Sequence, residues 1–524
     1  MLFTSYNFIV FMAVVFALYY LLPKKWQWGV LLAASLAFYA FSGVEYFVFM
    51  LFTIATVYGA TRWIDRQQAR TAAYIAEHKE TLSREEKKQI KHRSKKRTFA
   101  MLCICLGLNF AILAVCKAMI VEPFKSAFSD GPFSFMSFML PMGISFYMFQ
   151  SAGYVIDVYR GVAKAEKNPL KLALFVAYFP QLVQGPISRF NDLSATLLTP
   201  HAFDGRQISF GLQRVLWGYF KKLVLADRIL PAVQTIVGAP EEFSGVYMLV
   251  VAVFYAIQIY GDFTGGIDIT IGLSQMLGIN VTENFNRPFF SKNTAEYWRR
   301  WHITLGTWFK DYVFYPLSVC TPMLKLAKAS RRRLGDGFGK RVPVYISSLV
   351  TWLITGIWHG FQLHFAVWGL ANCFVIVVSQ ELEPLYARFH HRFHIKHTTA
   401  YRSFEVLRTF FLMSVIRMLD WYNDVGLYFK QYATLFYRWD LPALWDGSLL
   451  QLGLSIADYV ILALGVLLVF AVSMLQRSGS VREKLEKQPA ALRYALIALL
   501  FFAVLLFGAY GIEYDASQFI YNQF

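Results

Sequence analysis

Long apolar runs separated by short polar segments make up most of this chain. Because about 20 apolar residues in a helix cross the hydrocarbon core of a bilayer, each run of that length predicts one membrane segment. We therefore predict an all-α, polytopic membrane protein with about 11–13 transmembrane or re-entrant helices. The runs lie near residues 2–22, 28–42, 44–62, 98–120, 134–158, 206–230, 244–260, 343–358, 361–380, 405–438, 453–475 and 491–511.

The first run does not have the layout of a signal peptide. A basic start, a short apolar core and a small-residue cleavage site are all missing between Met1 and Leu22. We expect this run to be retained as the first membrane span.

Composition supports a membrane protein and argues against soluble classes. Apolar residues make up 56% of the 524 residues and charged residues 16%, and the mean hydropathy is +0.42, far from soluble domains. The net charge of +18 comes from Lys and Arg in short loops between apolar runs. This placement is explained by the positive-inside rule of membrane proteins rather than by a basic groove that binds nucleic acid. The five cysteines lie in or beside apolar runs, so no disulfide framework is expected.

Three basic segments predict which side of the membrane is cytoplasmic. Residues 62–98 hold 12 Lys or Arg against five Asp or Glu, and residues 317–342 hold seven against one. Ser83 should begin a surface helix inside the first of these segments, and glycines should keep the second one flexible. Together with the basic loop 386–408, they are predicted to face the cytoplasm.

Four histidines in that last loop are spaced like metal ligands. No Cys or Asp accompanies them, and the surroundings are basic. We therefore predict a juxtamembrane loop and no metal site. The histidines are His390, His391, His394 and His397.

One stretch concentrates ionisable and aromatic side chains. Read as a single helix over 297–312, it places Trp298, Trp301 and His302 on one face and Arg300 and Asp311 on the other. Ionisable groups within so apolar a chain are costly unless they pair or line a polar cavity. The stretch is therefore a candidate functional site.

A second polar position closes a predicted helix over 343–360. Thr355, Gly356 and His359 share one face of that helix, and Gly360 is suited to end it. His359 should then lie at the helix end, with small neighbours that leave room for a thin substrate.

Two further segments should border the same site. Residues 179–189 form an apolar run broken by proline and glycine, which predicts a re-entrant segment. Asp262 and Asp268 lie in a long apolar run. Gly261 and Gly265 match the small-xxx-small pattern of close helix packing there, and unwinding of the helix at the pair Gly265 and Gly266 is the alternative. Buried carboxylates need partners, and Arg299 or Arg300 is expected to supply them.

Three motifs resemble the membrane-bound O-acyltransferase family. They are Trp-Arg-Arg-Trp-His at 298–302, Trp-His-Gly at 358–360 and Phe-Pro-Gln-Leu-Val-Gln-Gly-Pro-Ile at 179–187. The chain is most similar to the bacterial branch that includes alginate O-acetyltransferase and the D-alanyl transfer protein of teichoic acid. The resemblance covers 1–524, ending in Phe-Ile-Tyr-Asn-Gln-Phe, and implies a single transmembrane domain around a central tunnel. Where the family usually shows Cys and Ser-Gly-Tyr-Ser, this chain has Gly261 and Thr-Gly-Gly-Ile at 264–267.

The resemblance also implies residue roles. His359 matches the catalytic histidine and His302 the second signature histidine. Histidine suits a general base because its ordinary pKa is about 6.5. The predicted tunnel and support residues are Trp298, Arg299, Arg300, Trp301, Asp311, Trp358, Asp262, Asp268 and Gln181.

The implied reaction moves an acetyl group across a bacterial cytoplasmic membrane. The donor is expected to be acetyl-CoA or an acyl-carrier thioester, used as a substrate with no bound cofactor. The acceptor is a hydroxyl of an exported or cell-wall polysaccharide, delivered with the help of an extracytoplasmic partner protein. Membrane lipids are expected to surround the protein.

Alternatives remain open at this stage. Within the family they are D-alanyl transfer to teichoic acid and O-acetylation of peptidoglycan. The acyl group could pass directly or through a covalent intermediate. Outside the family, a transporter would equally use buried carboxylates and broken helices.

Overall fold

The protein is built from helices throughout the described part of the chain. A computed structural model describes residues 3–119, 121 and 141–510, and no strand occurs among them. The predicted loop at 129–132 and the ending at 518–524 lie outside these residues. The main helices are Tyr6–Leu21, Gln27–Ala40, Phe47–Glu77, Arg84–Ala118, Ile144–Arg160, Pro169–Ala177, Phe179–Gln184, Phe190–Leu197, Gly205–Tyr219, Asp227–Gly238, Tyr247–Met276, Thr294–Arg300, Ile303–Phe309, Thr321–Gly339, Val342–His359, Leu363–Glu381, Glu383–Phe393, Thr399–Arg417, Val425–Ala433, Ile456–Leu475, Val481–Glu486 and Ala490–Phe507.

Many of these helices suit a membrane. Seven helices of the described chain are long and apolar enough to cross one, and the shorter Tyr6–Leu21 helix is also apolar. Leu499 and Leu506 of the Ala490–Phe507 helix are largely exposed, as lipid-facing side chains would be. The predicted all-α membrane fold is therefore confirmed, while the count of 11–13 segments stays a prediction. The seven are the helical segments 44–77, 84–118, 247–276, 342–359, 363–381, 456–478 and 490–507.

The chain divides into two compact units. The first comprises residues 1–211 and 273–282, and the second comprises 212–272 and 283–524. The single domain over 1–524 stays a prediction, and each unit is described below by itself.

The first unit contains a long helical hairpin over the predicted basic segment 62–98. The Phe47–Glu77 helix is followed by Arg84–Ala118, so most of this segment is helical rather than loop. Ser83 caps the second helix as predicted. Its side chain accepts from the Glu86 amide, and the Glu86 carboxylate accepts from the Ser83 amide. This capping box satisfies donors that a helix start otherwise leaves exposed.

The predicted re-entrant segment also lies in the first unit. It contains a short buried helix, Phe179–Gln184, followed by extended backbone. The Gln181 side chain donates to the Pro186 carbonyl at 3.1 Å and to the Ser188 hydroxyl at 2.6 Å. Gln181 thus holds the non-helical backbone that follows its own helix.

The second unit is organised around the long Tyr247–Met276 helix. It runs without interruption through Gly265, so the predicted unwinding is wrong. The close packing that the spacing of Gly261 and Gly265 predicts is confirmed. A Cβ at Gly261 would lie 2.7 Å from the Lys221 carbonyl oxygen, and one at Gly265 would lie 2.8 Å from that of Gly218. The backbones therefore approach closely, as small residues permit in membrane helices.

Other basic segments of the second unit are also helical. The Thr321–Gly339 helix occupies most of 317–342, and its backbone is non-helical only at Gly335, where φ is 77°. The flexible segment predicted there is therefore largely an ordered helix. Thr399–Arg417 extends from within the segment 386–408 towards the core of the unit.

Glycine at 265 should be needed for the packing of the second unit. We expect Gly265→Ala to lower the melting temperature in detergent by several degrees, because overpacking typically costs about 1–3 kcal/mol. Gly107→Ala is the matched control, since a Cβ there meets no heavy atom within 4 Å. Equal melting temperatures for the two variants would contradict the packing role.

Candidate active site

A break in the helix, rather than a continuous helix, presents His302. The Thr294–Arg300 helix ends before Trp301, and a new helix begins at Ile303. His302 lies between them with φ 47° and ψ 51°, a left-handed conformation that is uncommon for residues other than glycine. The single helix predicted over 297–312 is therefore wrong. Trp298 and His302 do not share one helical face.

The side chain of Asn284 holds this break together. Its Oδ1 atom accepts hydrogen bonds from the Thr304 amide at 3.0 Å and the Thr304 hydroxyl at 2.9 Å. The Asn284 carbonyl oxygen also accepts from the Ile303 amide at 3.0 Å. Asn284 is fully buried, so these donors would lack an acceptor without it.

The Asn284 side chain also determines which nitrogen of the His302 ring carries the proton. Because the Thr304 amide can only donate, the Asn284 atom that it meets must be the oxygen. The His302 Nδ1 atom lies 3.2 Å from that oxygen and therefore carries the proton. Nε2 is left as the nitrogen with the lone pair.

Burial keeps the His302 imidazole neutral. His302 is 3% exposed. Desolvation, followed by the positive charge of Arg417, lowers the pKa of His302 to about 3. The neutral side chain accepts hydrogen bonds through Nε2 but is a weak base at physiological pH.

His359 lies at the end of its helix, as predicted. The Val342–His359 helix is followed by extended backbone at Gly360. The imidazole lies 4.9 Å from the Trp368 ring and 6.0 Å from the Phe365 ring, between ring centroids. The room expected beside Gly356 is filled, because a Cβ there would collide with the Phe365 carbonyl group. Gly356 therefore serves helix packing rather than substrate entry.

Trp358 connects the two histidines. Its ring lies 4.7 Å from the His359 ring and 6.5 Å from the His302 ring, between centroids. Two histidines 57 positions apart in the sequence thus contact one buried indole.

The other residues of the 298–311 stretch have different surroundings. The Trp298 Nε1 atom donates to Asn372 at 3.0 Å, while Trp301 is buried. Arg299 is exposed, and Arg300 forms an ion pair with Glu296. Asp311 lies in a π-helical segment next to Lys310.

The buried carboxylates pair with lysines and a different arginine. Asp262 binds the Lys222 ammonium group at 2.6 Å. Asp268 binds Lys221 at 2.6 Å and Arg214 at 2.8 Å. The expected pairing with Arg299 or Arg300 is therefore wrong. The close glycine packing described above brings residues 218–226 against these carboxylates instead.

One charged pair was missed by sequence reasoning. The Arg417 guanidinium lies over the rings of Trp298, Trp301 and Trp368 and forms an ion pair with Asp420 at 3.6 Å. Its signal was an Arg and an Asp three positions apart in an apolar run. Asn284 had no comparable signal. Gln181, predicted for the site, belongs to the first unit.

Comparisons with known proteins show which family this chain resembles. The membrane-bound O-acyltransferase family matches residues 164–331, which include His302. The probable alginate O-acetylase AlgI of Azotobacter vinelandii is 29% identical over 88% of this chain and 84% of its own length. That of Pseudomonas putida is 31% identical over 73% and 71%. The peptidoglycan O-acetyltransferase of Helicobacter pylori is 27% identical over 71% and 67%.

The state of His302 is open to direct measurement. In protein labelled with ¹⁵N-histidine, we expect His302 to give the signals of a neutral ring protonated at Nδ1 from pH 5 to pH 8, because burial disfavours the imidazolium. Solid-state NMR would detect these signals, and their loss in His302→Asn would assign them. Asparagine tolerates the left-handed backbone at this position. An imidazolium signal from His302 that titrates near pH 6.5 would contradict the prediction.

Proposed function

Because the chain belongs to the membrane-bound O-acyltransferase family, we propose that it moves an acetyl group from cytoplasmic acetyl-CoA to a hydroxyl of an exported polysaccharide. The protein is a multi-pass membrane O-acyltransferase. The enzyme assignment is therefore preferred to the transporter alternative. Two of its relatives are named for the acetylation of alginate and of peptidoglycan. These names support acetyl as the acyl group and a polysaccharide as the acceptor.

The contact of both histidines with Trp358 carries this proposal. An acyl transfer to a hydroxyl needs a proton acceptor beside the attacking oxygen and a second group that orients the acceptor molecule. His359 and His302, which both lie beside the Trp358 indole, are assigned these two functions. Aromatic rings surround the His359 imidazole, and an apolar site of this kind disfavours water, which would otherwise compete as the nucleophile.

We assign the role of general base to His359. The acceptor hydroxyl attacks the thioester carbonyl carbon while His359 takes its proton. The new carbon–oxygen bond forms, the carbon–sulfur bond breaks, and the proton passes from His359 to the leaving thiolate. Atoms and charge balance with no further reactant, and no covalent acyl-enzyme intermediate is needed.

We assign an orienting role to His302. Its Nδ1–H is held by Asn284, so its Nε2 accepts a hydrogen bond, and sugars offer more than one hydroxyl as donor. A neutral His302 can accept that bond without removing the proton. The division of roles follows from the different surroundings of the two rings.

The donor and the partner are further parts of the proposal. The basic helix Thr321–Gly339 carries several Lys and Arg side chains, which would attract an anionic donor such as acetyl-CoA to the cytoplasmic side. Delivery to the polysaccharide on the other side is assigned to a separate extracytoplasmic protein. The family resemblance supports that assignment.

Replacement of the proposed base should abolish transfer. We expect His359→Ala to reduce the acetyl ester on exported polysaccharide by about 100- to 10,000-fold, the usual contribution of a positioned general base. Mild alkali would release the acyl group from the polysaccharide of cells that carry the wild-type or the variant protein. Chemical identification of the released group would distinguish acetyl from D-alanyl. His391→Ala, at an exposed histidine, is the control. Unchanged ester with normal protein level in His359→Ala would refute the role.

Replacement of the orienting histidine should affect binding more than turnover. We expect His302→Asn to raise the KM for the acceptor roughly tenfold, as one lost hydrogen bond to a polar substrate predicts, with a smaller change in kcat. Purified protein in liposomes with labelled acetyl-CoA would give both constants. A loss confined to kcat, equal to that of His359→Ala, would make His302 a second base instead.

A further inference from the structure

A bidentate ion pair lies one residue away from the amide that binds His302. Two guanidinium nitrogens of Arg214 donate to the two carboxylate oxygens of Glu283, at 2.5 Å and 2.6 Å. Glu283 directly precedes Asn284 in the chain. Two parallel hydrogen bonds fix the direction of the carboxylate as well as its distance, which a single bond does not. Neither member of the pair takes part in the proposed acyl transfer.

The arginine of this pair is itself anchored. Its Nε atom donates to Asp268 at 2.8 Å, and Asp268 also binds Lys221 at 2.6 Å. The Arg214 side chain is 12% exposed, whereas that of Glu283 is 60% exposed. An isolated exposed ion pair contributes little to stability. This pair instead joins an exposed carboxylate to a largely buried charged cluster.

The backbone after Glu283 runs beside the break between the two helices. The Ile303 amide donates to the Asn284 carbonyl at 3.0 Å, and the Asn286 amide donates to the Arg300 carbonyl at 2.9 Å. These bonds lie on both sides of the break. A displacement of the backbone at 283–286 would therefore displace the break with it.

The same backbone sets the position of the Asn284 side chain. Asn284 Oδ1 lies 3.2 Å from His302 Nδ1, at the upper end of the range for an N–H···O hydrogen bond. A further increase in this distance would weaken the bond, and the proton could then move to the other ring nitrogen. His302 Nε2 would no longer be fixed as the hydrogen-bond acceptor.

We propose that Arg214 and Glu283 are positioning residues for acyl transfer. Their bidentate ion pair fixes the backbone at Asn284, so that Asn284 Oδ1 keeps its hydrogen bond to His302 Nδ1. The effect on transfer rests on the proposed function, because His302 orients the acceptor there. The hydrogen bond at His302 Nδ1 can be measured without any transfer.

Glu283 is the better member of the pair to replace, because Arg214 then keeps Asp268 as its counter-charge. Glu283→Ala removes the carboxylate, and Glu283→Gln leaves one oxygen that can accept from Arg214. Solid-state ¹⁵N NMR reports the His302 ring in both variants. Transfer from labelled acetyl-CoA in liposomes gives kcat and both KM values, and each variant is also made in the His302→Asn background.

Glu381→Ala is the matched control. Glu381 accepts two hydrogen bonds from Arg341, at 2.6 Å and 2.8 Å, so this pair is also bidentate. Arg341 immediately precedes the Val342–His359 helix. The helical rise of about 1.5 Å per residue places it roughly 27 Å from the proposed base. The control therefore breaks an equivalent pair far from His359.

We expect Glu283→Ala to raise the KM for the acceptor about three- to tenfold, as a weakened hydrogen bond predicts, while kcat and the KM for acetyl-CoA change little. The ¹⁵N spectrum should show both neutral tautomers of His302 instead of one. In the His302→Asn background the same replacement should have no further effect, because both changes act on one interaction. Glu381→Ala should match the wild-type protein in both measurements.

A wild-type His302 spectrum in folded Glu283→Ala protein would overturn the inference. An equal rise in KM with histidine or asparagine at position 302 would also overturn it, since the ion pair would then act elsewhere.

Glu283→Gln provides the test if Glu283→Ala does not fold. Appearance of the second His302 tautomer in Glu283→Gln would support the positioning role. A lower melting temperature with an unchanged His302 spectrum would show that the pair acts on stability alone. A wild-type protein that transfers no acyl group would refute the proposed function, and the NMR measurement would still test the role of the ion pair.

Discussion

The candidate site depends on one buried side-chain oxygen, Asn284 Oδ1, which accepts several hydrogen bonds. It receives the Thr304 amide, the Thr304 hydroxyl and His302 Nδ1. A helix running through this point would bury Trp298 and His302 on one stripe. The Asn284 oxygen instead lowers the free-energy cost of the break, because it accepts hydrogen bonds from donors that the interrupted helix leaves without a backbone acceptor.

The second constraint is that every charge placed in so apolar a unit requires a counter-charge. Lys222 serves Asp262, and Lys221 with Arg214 serves Asp268. These pairs form because glycines let two backbones meet. Arg417 has the Asp420 carboxylate as its counter-charge, and three indole faces also stabilise it. Tryptophans beside the histidines therefore also hold a cation.

Local signals in the sequence predicted the parts of the fold that local interactions determine. The Ser83 capping box and the helix that ends at His359 are examples, because a cap or a terminating glycine acts within a few residues. The break before Ile303 was not predictable from periodicity, since the apolar pattern continues through it. Its cause is an asparagine 18 positions before His302. The lysine partner of Asp262 was missed for the same reason, because it lies 40 positions away in the sequence.

The positions of the two histidines relative to their helices give them different chemistry. His302 precedes the first turn of Ile303–Phe309, where the partial positive charge of the helix start disfavours an imidazolium. His359 ends Val342–His359, where the last carbonyls of the helix carry a partial negative charge. Burial and the charge of Arg417 act in the same direction at His302, so its ring stays neutral. A fold that places one histidine at a helix start and the other at a helix end, against a shared indole, gives them the different surroundings on which the proposed roles of orienting group and proton acceptor depend.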